Sequence, residues 1–513
     1  MNLVRSAATV GGMTMISRVL GFVRDILIAG TLGTGPIADA FFVAFKFPNL
    51  FRRLFAEGAF NSAFVPLFAK RLEGEGKASA KQFAEEALSG LLFTLIVLTI
   101  VAEITMPWLM HVIAPGFVDT PDKFDMGVLF TRIAFPYLMF MSLVALLSAV
   151  LNSVGRFTAA AAAPILLNIV LVGALLLAAP HFDNPGLVLA WGVAVAGAAQ
   201  FAMLLIAVKR AGFNFHLRRP RLTPGVKRLV ALGVPGVIAG GITQFNLLVG
   251  SIIASLQDGA VSLLYYADRI YQLPLGVVGI AIGIVLLPDL SRRLRADDGG
   301  GANNAQNRAF EFSMLLTLPA AVALAVIPVP IIQVLFERGA FSAADTQGTA
   351  LALAGFAIGL PAFVLTKVLS PSFFAREDTV TPMRFAAIGI AVNIVGSLAL
   401  FFWIGHVGIA LATSAAAWVN AGLLGVRLVR LGHFEFDARL KSRLPRLALA
   451  SAIMGVGLWV GADLAAPFLM DGFLVSTLSL VALIAGGATL FAVATLATGA
   501  AKVSELKGSF RKT

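Results

Sequence analysis

The sequence contains no cysteine, and charged residues occupy only 13% of its 513 positions, whereas soluble domains carry about 25%. Without cysteine the chain forms no disulfide bond and uses no thiolate for catalysis or metal binding. The five histidines lie apart, at the ends of apolar stretches and in loops. A membrane enzyme acting on polyprenyl phosphates needs clustered carboxylates or histidines. This class is therefore disfavoured, and we expect no catalytic residue, no metal site and no cofactor.

Hydrophobic residues make up 58% of the chain and form long runs. Runs of about 20 residues span the roughly 30 Å hydrocarbon core of a bilayer at 1.5 Å per residue. A dozen or more such runs cannot all be buried in a soluble protein. The sequence therefore predicts an all-α polytopic membrane protein with fourteen transmembrane helices. The predicted spans are 7–29, 37–60, 86–111, 127–151, 158–180, 186–208, 229–255, 261–288, 309–333, 347–371, 382–404, 408–429, 444–465 and 472–499.

The distribution of the 39 lysines and arginines tests this count. Loops on the side of the N-terminus carry 29 of them, whereas the opposite loops carry Lys123 and Arg338. Basic residues concentrate in cytoplasmic loops, so both termini are predicted to be cytoplasmic. If one span were miscounted, the alternation of basic and non-basic loops would reverse from that point onward. The formal net charge of +12 is therefore interpreted as membrane topology rather than nucleic-acid binding. No cleavable signal peptide is expected, since Arg18 and Arg24 interrupt the first apolar run.

The basic segment 209–228 separates two groups of six predicted helices that resemble each other weakly. In each group a proline precedes a glycine by nine residues at the end of the third helix, in Pro107–Gly116 and Pro330–Gly339. Asn168 and Asn393 also begin the same tripeptide, Asn-Ile-Val. Halves of six helices share one orientation, which predicts a pseudo-two-fold axis along the membrane normal. The predicted domains are 1–215, the N-terminal lobe (helices 1–6); 216–435, the C-terminal lobe (helices 7–12); and 436–513, two additional helices (13–14) and a cytoplasmic tail.

Eight basic residues remain inside the predicted spans, and five of them belong to the first two helices. They are Arg18, Arg24, Lys46, Arg52, Arg53, Arg132, Arg269 and Lys367. Intramembrane charges normally face a polar cavity or a charged partner. Asp39, Lys46 and Arg53 are seven residues apart and so lie near one helix face. This pattern predicts an aqueous cavity with excess positive charge, which suits an anionic cargo such as a phosphate or pyrophosphate.

Structural roles compete with this interpretation. Arg52 and Arg53 could extend to the interface from the end of their helix. Two neighbouring pairs could be structural ion pairs, Arg24 with Asp25 and Asp268 with Arg269. Arg18 lies in the middle of its helix without a charged neighbour, so it is the strongest candidate for a functional charge.

Four motifs resemble those of the MurJ/MviN family, within the multidrug/oligosaccharidyl-lipid/polysaccharide exporter superfamily. They are SRVLGFVRD at 17–25, DAFFVAFKFPNLFRRLFAEGAF at 39–60, APGF at 114–117 and YYADR at 265–269. The resemblance extends over essentially the whole chain, including the two C-terminal helices. It implies a lipid II flippase of peptidoglycan synthesis in the bacterial inner membrane, which affects cell-wall biogenesis and cell shape.

The resemblance also assigns roles to individual residues. The family's substrate-binding cavity arginines correspond to Arg18, Arg24, Arg52 and Arg269, and its acidic cavity residue corresponds to Asp39. From the charge pattern of the first two helices, we expect Asp39, Asp25, Lys46 and Arg53 to be charge partners or gating residues. Asp39 is expected to pair with an arginine when cargo is absent. The implied partners are lipid II, the phospholipid membrane and other cell-wall synthesis proteins, with no nucleic acid. Some relatives could bind sodium, but Asp378 is predicted in a cytoplasmic loop, so we predict no sodium site beside Asn393.

The mechanism expected of such a chain is alternating access, with no bond made or broken. A flippase for another polyprenyl-linked oligosaccharide remains an alternative at this point. A drug exporter would favour acidic and aromatic cavity residues, and the basic excess disfavours it. A different class, a non-transporting scaffold of a cell-wall complex, would not need the charged helices.

Overall fold

The computed structural model describes residues 3–52 and 60–500, so Arg53 and the C-terminal tail lie outside the described residues. All regular secondary structure within this part of the chain is helical. Ten of the described helices are long and apolar enough to cross a membrane. The prediction of an all-α, multi-pass membrane protein is confirmed at this level. The chain forms two compact units: Met1–Ser262 with Gly339–Phe341, and Leu263–Arg338 with Ser342–Thr513.

The described residues of the first unit form nine α-helices, joined mostly by short turns. They are α1 (Leu3–Leu32), α2 (Pro36–Arg52), α3 (Phe60–Gly74), α4 (Gly76–Ile113), α5 (Pro121–Ala134), α6 (Pro136–Ser153), α7 (Thr158–Gly173), α8 (Pro185–Arg210) and α9 (Pro224–Ser255). Proline begins α5, α6, α8 and α9, where its missing N–H removes no helical hydrogen bond. Two of these starts are also capped, because Asn184 accepts from the Leu187 N–H and Thr223 accepts from the Val226 N–H.

In the part of the second unit that the structure describes there are eight α-helices, of which the first begins at the end of the first unit. They are α10 (Ala260–Arg295), α11 (Gly299–Val326), α12 (Pro328–Phe336), α13 (Ala343–Phe374), α14 (Val380–Ile404), α15 (His406–Arg430), α16 (Ala438–Leu469) and α17 (Gly472–Ala497). Helix α13 is its most buried element. It packs on α15 through glycines: a Cβ on Gly359 would lie 2.6 Å from Ser414 Oγ, and this hydroxyl donates to the Gly355 carbonyl. Small residues allow such close packing in lipid.

The extended segments that follow α8 and α15 are held in the same way, by side chains of a neighbouring helix that accept hydrogen bonds from the segment backbone. In the first unit, α8 ends at Gly212, whose φ of +81° reverses the chain. The His216 N–H then donates to Glu85 on α4 at 3.1 Å, and the Arg218 N–H donates to Ser89 at 2.9 Å. Alternate N–H groups of an extended chain are about 6.6 Å apart, and side chains four residues apart on a helix are about 6 Å apart. The two spacings match, so one helix face can hold the segment.

The second unit repeats this arrangement with amide side chains. Helix α15 ends at Gly432, which also has positive φ. The Glu435 N–H donates to Asn303 at 2.9 Å, and the Asp437 N–H donates to Asn307 at 3.1 Å, both on α11. Both segments also carry two phenylalanines at alternate positions. In the first unit Phe213 contacts Phe68 and Phe215 contacts Phe213, whereas in the second both Phe434 and Phe436 contact Phe310.

Candidate functional site

Arg24 and Asp25 lie where α1 packs against α7. Arg24 donates to Asp25 from Nε at 3.0 Å and from Nη2 at 2.7 Å, and from Nη1 to Asn168 Oδ1 at 2.8 Å. Arg24 and Asp25 are both buried, and the Arg24 guanidinium lies 5.8 Å from the Phe45 ring on α2. The structural ion pair between Arg24 and Asp25 is therefore present, and it connects α1, α2 and α7.

Asn168 determines how α1 and α7 meet. Its amide nitrogen donates to the Ser17 carbonyl at 2.9 Å, while its oxygen accepts from Arg24. Gly21 lies between these two contacts on the same helix face, and a Cβ there would lie 3.6 Å from the Asn168 amide. Positions 17, 21 and 24 follow helical spacing. Arg18 is exposed and lies on the same helix, nearly two turns before the buried pair.

Asp39 forms a second charged group, and its partner is Lys123 rather than an arginine. Lys123 Nζ donates to Asp39 Oδ2 at 2.9 Å, and the side chains of both residues are 0% exposed. Asp39 also accepts from the Gly259 N–H at 2.8 Å, and from the N–H and hydroxyl of Ser262 at 3.0 and 2.8 Å. Lys123 donates in addition to Asp258 Oδ1 at 2.8 Å. The expected arginine partner of Asp39 is thus wrong for this conformation.

The geometry explains why a carboxylate is needed at position 39. The N–H groups of Gly259 and Ser262 belong to the start of α10, where they have no partner within the helix. A carboxylate from another helix satisfies them and interacts favourably with the positive end of the helix dipole. Asp39 is itself in the first turn of α2. It therefore fixes the start of α10 to α2, and Lys123 neutralises the buried charge.

The sequence reasoning missed Lys123, which it placed in a loop. The residue lies in the first turn of α5, and its ammonium also lies 4.5 Å from the centre of the Phe117 ring. Phe117 ends the APGF motif, and the Gly116 N–H donates to Ser255 Oγ at 3.3 Å. Two signals could have indicated this position: Pro121, which typically begins a helix, and the preceding motif, which holds an aromatic ring against it.

The other N-terminal candidates are placed separately. Lys46 is half-buried on α2, and its Nζ lies 3.5 Å from Ser251 Oγ on α9. Arg52 is the last residue of α2, and Arg53 lies outside the described residues. The described contacts thus pair Arg24 with Asp25 and Asp39 with Lys123. Arg18 and Lys46 lie on α1 and α2, the helices that carry Arg24 and Asp39.

The C-terminal candidates lie on α10 and α13 in the second unit. The Arg269 guanidinium lies 4.5 Å from the centre of the Tyr265 ring, a contact that suits the planar arginine side chain. Lys367 on α13 points at α10, since a Cβ on Gly279 would lie 2.5 Å from its Nζ. Gly279 thus leaves room for the lysine. These contacts place a cationic side chain at two separate positions along α10.

No group of three or more histidine, aspartate or glutamate residues in the described part of the chain could hold a metal ion. Asn393 is buried on α14 and accepts from Thr413 at 3.1 Å and from Ser397 at 3.4 Å. Asp378 lies in the turn before α14, as predicted, and accepts from the Thr381 N–H at 2.9 Å. This backbone hydrogen bond holds the pKa of the Asp378 carboxyl below its usual range.

Comparisons with known proteins identify the family. The family model described as "Lipid II flippase MurJ" matches residues 28–480. A probable lipid II flippase MurJ from Rhizobium meliloti (strain 1021) is 50% identical over 518 residues, covering 100% of this chain and 97% of the relative. The chain belongs to the lipid II flippase MurJ family. The lipid II flippase MurJ of Burkholderia cenocepacia is also 38% identical, with 85% of each chain covered.

Solved structures agree on the fold. A MurJ lipid II flippase in an inward closed conformation matches with a TM-score of 0.78 at 23% identity, covering 95% of this chain and 97% of that one. A multidrug resistance transporter of the MATE family, in an inward-facing conformation, matches with a TM-score of 0.63 at 14% identity and 83% coverage of this chain. The MurJ family places the chain among transporters rather than enzymes. As a MurJ family member with many apolar helices, it is a multi-pass inner-membrane protein.

Proposed function

We propose that the chain is a lipid II flippase, which moves the undecaprenyl-pyrophosphate-linked peptidoglycan precursor from the cytoplasmic to the periplasmic leaflet. The observation that carries the proposal is the match to MurJ relatives over nearly the full length of both chains. The charged residues of α1, α2 and α10 are consistent with this cargo, because arginine binds pyrophosphate through several charged hydrogen bonds. Contacts with other cell-wall synthesis proteins stay a prediction.

The head group would bind to Arg18, Arg24, Arg52 and Arg269 in a cationic cavity. Arg18 is exposed on the helix that carries the Arg24–Asp25 pair, so its guanidinium is accessible to the cargo. Asp25, Asp39, Lys46 and Arg53 would act as charge partners or gating residues. The ion pair between Asp39 and Lys123 supports this role for Asp39, because it ties the start of α10 to α2 and α5.

Replacing either Arg18 or Arg269 with alanine is expected to reduce lipid II translocation strongly while leaving protein levels unchanged. Each change removes a cation that the proposal places against the head group, and a hydrogen bond to a charged group contributes about 1.5–3 kcal/mol. Translocation would be measured in cells that depend on the plasmid-borne chain. The exposed Arg295, which lies at the end of α10, supplies the control variant Arg295→Gln. Wild-type translocation in both alanine variants would contradict the cationic cavity.

The same cells distinguish the alternatives when the chain is depleted. Accumulation of intact lipid II indicates a blocked flip, whereas accumulation of earlier precursors indicates a lost enzyme. A scaffold without transport activity would leave translocation unaffected in a reconstituted assay. A flippase for another polyprenyl-linked oligosaccharide would leave lipid II unchanged and accumulate the other glycan.

For the architecture, we propose fourteen spans with both termini cytoplasmic, the domains 1–215, 216–435 and 436–513, and two six-helix lobes related by a pseudo-two-fold axis. The repeated anchoring of the segments after α8 and α15 supports this repeat. The two glycines of the sequence repeat also support it, because each packs against a backbone carbonyl. A Cβ on Gly116 would lie 2.1 Å from the Ser255 carbonyl oxygen, and a Cβ on Gly339 would lie 2.2 Å from the Gly30 carbonyl oxygen. Gly30 and Ser255 end α1 and α9, the first helix of each proposed lobe.

Alternating access would require the contacts at these helix ends to form and break. Replacing Gly339 with alanine is expected to lower thermal stability, because the new methyl group overlaps backbone that cannot rotate away and φ there is +57°. Overpacking of this kind costs about 1–3 kcal/mol. Thermal unfolding of purified protein measures the effect. Gly250 on α9 has open space around it, so Gly250→Ala is the matched control. Equal stability of both variants would show that the close contact is absent in the folded protein.

A further inference from the structure

The linker Leu217–Leu222 between α8 and α9 combines arginines with exposed leucines. Leu217 is 68% exposed and Leu222 is 70% exposed. Arg219 and Arg221 are also exposed and make no ion pair with any described residue, whereas Arg218 donates to Glu85 at 2.7 Å. Pro220 keeps the segment extended. An extended segment with apolar ends and a basic centre is typical of a surface that contacts anionic lipid.

The anchoring contacts determine how deep this linker lies. Its backbone is held by Ser89 on α4, and the first large exposed apolar side chain of α4 is Phe93. Four residues correspond to about 6 Å along the helix axis. The linker therefore lies about one helical turn outside the band of exposed apolar side chains. This is the level of the lipid head groups, whose layer is several ångströms thick on each side of the hydrocarbon core.

We propose that the linker Leu217–Leu222 binds the anionic surface of the bilayer. Arg219 and Arg221 pair with lipid phosphates, and Leu217 and Leu222 enter the boundary with the acyl chains. A soluble acidic partner fits less well, because the leucines flank the arginines at a depth where acyl chains begin. The corresponding segment after α15 carries Glu435 and Asp437 ahead of Arg439, so its charge is mixed, whereas the charged residues of the first linker are all arginines. The inference depends on the membrane location and not on the identity of the cargo.

The absence of cysteine permits a direct test, since a single introduced cysteine can be labelled in the full-length chain. Leu222→Cys carries a polarity-sensitive fluorophore, and the protein is reconstituted in phosphatidylcholine vesicles with or without phosphatidylglycerol. We expect doxyl-labelled lipid to quench the fluorophore in the anionic vesicles, and high salt to abolish this quenching. Each basic residue near an anionic surface strengthens binding about fivefold. Arg219→Gln/Arg221→Gln should therefore shift the equilibrium away from the membrane roughly 30-fold.

Two controls keep the result interpretable. Arg430→Gln/Lys441→Gln removes the same charge from exposed positions elsewhere and should not change the quenching. A fluorophore on Glu435→Cys reports on the segment between α15 and α16 and should not respond to phosphatidylglycerol. Quenching by aqueous iodide in the anionic vesicles would overturn the proposal. Doxyl quenching that is equal with and without anionic lipid would also overturn it. This comparison needs no charge variant, so it can be made even if Arg219→Gln/Arg221→Gln fails to fold. Loss of lipid II translocation is not used as a readout, so failure here is separate from failure of the proposed function.

Discussion

Neutralising Arg24 and Asp25 together, in Arg24→Gln/Asp25→Asn, is expected to yield a folded protein that no longer translocates lipid II. The two side chains form a buried ion pair, so Arg24→Gln alone leaves the Asp25 carboxylate buried and uncompensated. Breaking a buried pair on one side costs about 3–5 kcal/mol, whereas removing both charges is often nearly neutral. The double variant therefore separates a structural role of Arg24 from a role in binding cargo.

The expected pattern has two parts. The single variant should lose both protein and activity. The double variant should recover the protein level without recovering activity, because the proposed cationic cavity would lack Arg24. Membrane protein levels and lipid II translocation are measured in the same cells. Asn168→Ala is a useful companion, since it removes one partner of Arg24 at 2.8 Å but leaves both charges. Restored translocation in the double variant would assign Arg24 to the ion pair alone and exclude it from cargo binding.

Replacing Lys123 with methionine is expected to be the most destabilising single change in the first unit. Methionine replaces the apolar stem of the lysine but leaves Asp39 buried without a positive charge, at a cost of about 3–5 kcal/mol. For a unit of this size that corresponds to a drop in Tm of roughly 10 °C. Thermal unfolding of the purified protein measures this drop. Both side chains of the pair are buried within the protein, since each is 0% exposed.

A second substitution tests whether the buried charge is the cause. Asp39→Asn in the Lys123→Met background removes the uncompensated carboxylate and should recover part of the lost Tm. Recovery is incomplete, because an amide that accepts from Ser262 turns its NH2 group toward the Gly259 N–H, which then loses its acceptor. Lys81→Met is the matched control, since its ion pair with Glu85 is long, at 3.5 Å, and its side chain is 32% exposed. A Lys123→Met variant as stable as this control would contradict the account of Asp39.

Some details of the site could be predicted and others could not. Helical spacing predicted that charges gather on α1 and α2, and adjacency allowed an ion pair between Arg24 and Asp25, which the structure contains. The partner of Asp39 did not follow, because Lys123 lies 84 residues away and Ser262 lies 223 residues away. Lys123 stands between Asp122 and Asp125, so its local sequence reads as a polar loop. Only the packing of α2, α5 and the start of α10 removes it from water.

By itself the sequence determined that this is an all-helical, multi-pass membrane protein. Bilayer thickness imposes the length of each apolar run, and this constraint can be recognised without tertiary contacts. The sequence also showed that the intramembrane charges cluster in the first two helices. Among the described residues, the tertiary structure decided which partners Arg24, Asp25 and Asp39 have and that Arg18 stays exposed. The reason is physical: a buried charge must be compensated by groups that surround it in space, and in this fold those groups come from helices far apart along the chain.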